Sequence, residues 1–124
     1  MRVTFFELDG DAVRPVVTEA PDWEPFEAYE GETLTDVDLV ELDSSERAEL
    51  QLVRIRAGGH FVLHSSPDLA FCQVVRGRGK LGLPDGRSLN YAGPELYVFR
   101  PDTLHDWHDI TEDTVLSVCI VRLS

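Results

Sequence analysis

Apolar residues in this chain come in short runs rich in Val, Leu, Ile and Phe, each bounded by turn residues. That is the pattern of strands in a sandwich or barrel, and it leaves little room for helices. The segment TLTDVDLVEL (33–42) alternates Leu34, Asp36 and Asp38 against Thr35, Val37 and Leu39 before its phase slips. AELQLVRIRAGG (48–59) changes phase between Leu52 and Val53, which calls for either a bulge or burial on both faces. HFVLHSS, LAFCQVV, GKLGL, RSLNYA, ELYVF and TVLSVCIVRL follow as further strands. LPDGRS is a tight-turn signal, because Asp and Gly tolerate positive φ. Gly77 and Gly79 are expected to mark the preceding turn, and Gly93 with Pro94 the next. Six or more closely spaced strands must pack on two faces or close on themselves to hide their edges, so an all-β barrel is expected.

The segment Arg14–Glu32 breaks this pattern. It carries Trp23, Phe26 and Tyr29 among prolines and carboxylates, and Pro21 and Pro25 forbid a long helix. It reads as an extended arm whose rings pack over a sheet or a second subunit, with a lid over the site as the alternative.

Composition narrows the function classes. A length of 124 residues suits one domain over 1–124, with an N-terminal strand and acidic arm in 1–33 and the barrel proper in 48–124. The net charge is −12, and 15 of the 23 acidic residues fall within the first fifty. Nucleic acid and anionic membrane are therefore not expected partners, since phosphate binding needs a concentrated basic face. No apolar run has membrane-spanning length and no signal-peptide pattern opens the chain, so a cytoplasmic location is expected. Cys72 and Cys119 lie in apolar strands and read as reduced, buried thiols rather than a disulfide or zinc framework. Arg76, Arg78 and Lys80 form a period-two basic stripe, a solvated face that could pair with the acidic arm. TVLSVCIVRL is apolar on both faces, so a homodimer is expected.

The stretch Gly58–Gly77 resembles the first sequence motif of the cupin superfamily, small RmlC-like jelly-roll barrels. That motif runs Gly, five residues, His, one residue, His, three or four residues, Glu, six residues, Gly. Here it falls on Gly58, His64, Ser66, Ala70 and Gly77. RPDTLHDWHD resembles the end of the second motif, with His105 in the His position and Asp109 where Asn is usual; Gly93 and Pro101 are present out of register. The resemblance covers roughly residues 50–124. It implies that His64 and His105 share the barrel interior, where cupins bind a divalent metal through three His and a Glu. Ser66 and Ala70 replace two of those ligands, so no metal, or a weakly held divalent one, is expected.

What remains is histidine acid–base chemistry. The expected reaction is an isomerase, cyclase or dehydratase step on a small organic molecule, with His64 and His105 catalytic. Expected substrate contacts are Ser66, Cys72, Tyr97, Trp107 and His60, the last on the grounds that 60 and 64 share parity on a strand. Two alternatives stand beside it: a metal-dependent oxygenase or lyase using His64 and His105 with an incomplete ligand set, and a non-catalytic ligand-binding cupin.

Overall fold

The short runs join into a few long, bent strands. A computed structural model describes residues 1–19 and 21–123, and it is all-β. In order, the strands are β1 (Val3–Asp9), β2 (Ala12–Thr18), β3 (Glu24–Pro25), β4 (Ala28–Tyr29), β5 (Glu32–Thr33), β6 (Thr35–Ser44), β7 (Ala48–His64), β8 (Leu69–Gly82), β9 (Ser88–Ala92), β10 (Glu95–Phe99) and β11 (His105–Val121). The main sheet runs β10-β8-β11-β7-β6-β3, with β9 also on β8. β1–β2 and β4–β5 are separate antiparallel hairpins.

AELQLVRIRAGG and HFVLHSS are one strand, β7, and LAFCQVV and GKLGL are one strand, β8. The first half of β8 pairs with β10 and its second half with β9, so the strand turns a corner between two facing layers. The corner is at Gly77, which lies inside β8 and not in the turn its sequence suggests. Its φ is +111°, and a Cβ there would sit 2.5 Å from the Thr114 Cα and 2.8 Å from the Asp113 carbonyl oxygen. Gly77→Ala is expected to cost at least about 1–3 kcal/mol, read as a lowered urea midpoint with unchanged slope. β11 bends opposite, with register shifts between His108 and Val115 and a positive φ at Asp109. The LPDGRS turn forms as expected: Gly86 has φ +88° and its N–H donates to the Leu83 carbonyl.

The phase break in β7 resolves as burial on both faces. Its ladder with β11 is continuous from Ala48 to Ile55, and neighbouring Leu52 and Val53 are both buried. The core between the layers holds Val37, Val53, Ile55, Phe61, Val74, Leu81, Trp107 and Leu116. Alternation in β6 aims Val37 inward, while Asp38 is buried against Arg54 at 2.8 Å, and Trp23 stacks over that guanidinium at 4.7 Å.

The N-terminal third differs from expectation at its start. Arg14–Thr18 belongs to the β1–β2 hairpin, and the irregular arm begins after it. Farther along, Phe26 and Tyr29 pack on Phe61, at 6.0 and 5.7 Å between ring centroids. No helix is long and apolar enough to cross a membrane among the described residues.

Candidate active site

Between the two layers lies a cavity of about 390 Å³. One wall is the far half of β7 with the start of β11, giving Phe61, His64, His105 and Trp107. The other is the near half of β7 with the end of β11 and the start of β8, giving Gln51, Val53, Cys72, Leu116 and Val118. Phe26 and Tyr29 of the arm and Phe99 at the end of β10 complete it, so the arm both packs on the sheet and walls the cavity.

His64 and His105 are direct cross-strand partners, and their ring centroids are 4.3 Å apart. Each Nδ1 lies against a carbonyl oxygen two residues earlier, Val62 at 2.8 Å for His64 and Thr103 at 3.0 Å for His105. A carbonyl can only accept, so in each neutral ring Nδ1 carries the proton and Nε2 bears the lone pair. His105 stacks flat on Phe99, 3.8 Å between centroids and 4° between planes. His64 rests against Phe61 at 4.3 Å and meets Tyr29 edge-on at 5.4 Å.

Burial dominates the electrostatics. It lowers the pKa of both imidazoles, and for His105, where the nearby His64 charge adds to it, down to about 4. For His64 the Val62 carbonyl and the fields of Glu30 and Asp106 oppose that lowering. Both rings are therefore neutral at pH 7, and mutual repulsion lets the pair hold one proton more readily than two. Burial also pushes the Cys72 thiol up to about 12, which makes it a neutral wall residue and not a nucleophile.

Of the expected substrate contacts, Ser66, Cys72 and Trp107 line the cavity. His60 does not. Register between β7 and β11 shifts from His64↔His105 to Phe61↔Trp107, three residues against two, so a bulge puts Phe61 and not His60 on the inner face with His64. His60 is turned outward, 3.6 Å from Asp106, whose other oxygen accepts from His108 Nδ1 at 2.9 Å. Tyr97 is likewise absent from the lining. Its hydroxyl donates to Glu95 at 2.6 Å, and burial together with that carboxylate raises its pKa.

Five polar lining residues are new: Glu49, Gln51, Asp68, Arg100 and Thr103. Gln51 shares the inward parity of Val53, a signal visible in the strand; Asp68, Arg100 and Thr103 are loop residues with no such signature. Glu49 accepts from Gln51 at 3.3 Å and from Arg122 at 3.0 Å, so Arg100 is the one cationic side chain of the described lining.

The donor set does not fit the metal site of the resembled motif. Ser66 lines the cavity with its hydroxyl accepting the Asp68 N–H at 3.1 Å, and Ala70 offers only a methyl group. Among the described residues no three His, Cys, Asp or Glu side chains are placed to hold a metal ion. Two imidazoles fall short of the three protein ligands of a catalytic metal site.

No family model matches the sequence, and no curated protein matches it. Solved structures do. The chain is similar to a cupin 2 conserved barrel domain protein from Rhodopseudomonas palustris, at TM-score 0.67 and 18% identity over 83% of this chain and 72% of that one. It is similar to KdgF from Halomonas sp., at TM-score 0.65 and 16% identity over 82% and 88% of the two chains. It is also similar to the polyketide cyclase RemF from Streptomyces resistomycificus, at TM-score 0.63 and 19% identity over 71% of this chain and 66% of that one. The barrel expected from the strand pattern and the jelly roll implied by the motif resemblance are thereby met: this chain has the fold of the small cupin barrels.

Proposed function

We propose that this protein binds a small, partly apolar organic molecule between its layers and isomerises, cyclises or dehydrates it by proton transfer, without depending on a metal. The observation that carries the reading is the His64–His105 pair: two neutral rings, 4.3 Å apart, each with Nδ1 tied to backbone and Nε2 left as a base in an aromatic cavity.

In this reading His64 takes a proton from carbon beside a substrate carbonyl, leaving an enolate. It is the better holder of that proton, because nearby carboxylates oppose the burial that depresses its pKa. His105 stays neutral and accepts a hydrogen bond from a substrate hydroxyl. The enolate is met by the new imidazolium and by Arg100 at the rim. Returning the proton to a different carbon completes an isomerisation; delivering it to a departing hydroxyl completes a dehydration. If the enolate carbon first attacks a second carbonyl, the same proton quenches the alkoxide and a ring closes. That RemF is a polyketide cyclase on the same architecture supports including the last route.

Hydrogen exchange tests this without a known substrate. Flat aryl ketones and 1,3-dicarbonyl compounds are incubated with the protein in D₂O and followed by NMR. Accelerated deuteration at the carbon beside the carbonyl, unchanged by EDTA, is the expected result. Acceleration that vanishes with EDTA and returns with one divalent metal points instead to a metal-dependent enzyme. Binding of these compounds without acceleration points to a ligand-binding protein.

A further inference from the structure

Arg100 stands at the rim of the cavity with nothing to neutralise it. The chain has 23 acidic side chains against 11 Lys and Arg, so carboxylates are plentiful. Even so, Arg100 makes no ion pair among the described residues. It is exposed, and it lines the cavity beside the imidazoles. A guanidinium offers its donors as a planar fork that fits two neighbouring oxygens.

The backbone around Arg100 is firmly held. The Thr103 N–H donates to the Arg100 carbonyl at 3.2 Å, closing a turn through Pro101 and Asp102, and Asp102 takes φ +64° inside it. The Asp102 N–H donates to the Ser66 carbonyl at 2.8 Å, which ties the turn to the loop that follows His64. Phe99, just before the turn, stacks on His105, and Thr103 at its end supplies the carbonyl that holds His105 Nδ1. One short segment therefore sets both the orientation of the imidazole and the point from which the guanidinium reaches.

Resting on the proton-transfer reading above, we infer that the substrate is an aryl α-keto acid whose carboxylate is held by Arg100. Arg100 is the one cationic side chain of the described lining, and the enolate needs it too. It serves both groups when the carboxylate and the carbonyl stand on adjacent carbons, because their oxygens then lie side by side and match the fork. His64 Nε2 takes the proton from the carbon on the far side of the carbonyl, and the electron pair moves to the carbonyl oxygen. Returning a proton to that oxygen gives the enol, and returning it to carbon gives the ketone. The aromatic wall of Phe26, Tyr29, Phe61 and Trp107 takes the aryl group. A cavity of about 390 Å³ is near the small end of ligand sites, about 300–1,000 Å³, so it suits one ring and not a fused system. Of the lining carboxylates, Glu49 is paired with Arg122 at 3.0 Å, and Asp68 makes no ion pair with Arg100. The net charge of −12 is screened over about 8 Å at physiological salt, so direct contact with Arg100 outweighs it.

Two measurements on the full chain separate this inference from the reading beneath it. Hydrocinnamate and hydrocinnamamide share one shape, differ in charge, and contain no ketone. Calorimetry should show the acid binding about 10- to 100-fold tighter, the usual worth of a charge-assisted hydrogen bond. Arg100→Gln should bring the acid to the level of the amide and leave the amide unchanged, with the circular dichroism of the exposed-site variant unaltered. Phenylpyruvate and its methyl ester are then compared for benzylic deuteration in D₂O, each against its own uncatalysed rate. The acid should be accelerated more than the ester, and Arg100→Gln should remove that margin. Equal binding of acid and amide, or an acid preference that survives Arg100→Gln, overturns the inference whatever the exchange shows. An Arg100-dependent acid preference without accelerated exchange of either keto compound overturns the keto-acid assignment through the proton-transfer reading, and not through the carboxylate site.

Discussion

His64→Gln should slow the catalysed deuteration by about 10²–10⁴, the usual contribution of a positioned general base. Glutamine fills much the same space and can still donate to the Val62 carbonyl, but it has no basic nitrogen, so the loss reports proton transfer and not packing. His105→Gln should lower the rate as well, by removing the Nε2 acceptor that orients the substrate, and chiefly through KM. The pH profile separates the two roles. Because burial lowers the His64 pKa below that of a free imidazole, kcat/KM should be level through neutral pH and fall only on the acid side of the ordinary histidine value of 6.5. In His105→Gln that fall should stay at the same pH, since His105 is already neutral while His64 titrates. A His64→Gln protein with undiminished exchange would remove the proposed base.

The positions most open to reading from the sequence are those where a short period carries the information. His105 and Trp107, two apart on a strand, do face one interior, and His108 does turn away toward Asp106. Cys72 on the inward parity is a wall residue, and Gln73 beside it is exposed. Parity fails where backbone geometry resets it. One extra residue between Phe61 and His64 exchanges His60 for Phe61 on the inner face, and no residue type announces such a bulge. Gly77 shows a related limit. Glycine in a strand-like run signals either a turn between strands or a corner within one, and only the pairing of both halves of β8 decides. Arg100, Asp68 and Thr103 reach the cavity through loops whose path depends on the whole barrel, so periodicity is silent about them. The first hairpin is an intermediate case: Phe6, Glu7 and Leu8 alternate, but Phe5 beside Phe6 is apolar too, so the pattern marks a strand without saying which face is covered.

Acid should destabilise this protein through its buried imidazole pair, most strongly through His105. His105 titrates near 6.5 when unfolded and at about 4 when folded. Between those values the unfolded chain binds a proton that the folded chain refuses, so stability rises with pH across the window. The contribution is complete above pH 6.5 and is lost progressively as pH falls toward 4, a loss of about 3 kcal/mol at 1.36 kcal/mol per unit. His105 is only 7% exposed, so solvent screens little of this. His105→Phe keeps an aromatic ring against Phe99 and removes the titration. It also leaves the Thr103 carbonyl without its donor, but that cost is independent of pH. Urea unfolding of both proteins between pH 7.5 and pH 4 (the window set by the ordinary histidine value and the folded His105 value) isolates the term, because the changing charge of the many carboxylates cancels in the difference. Wild type should lose ground to His105→Phe by about 3 kcal/mol over that range. A difference that stays flat would mean that the imidazole is already solvated in the folded protein, and the dry, neutral pair on which the proposed chemistry rests would go with it.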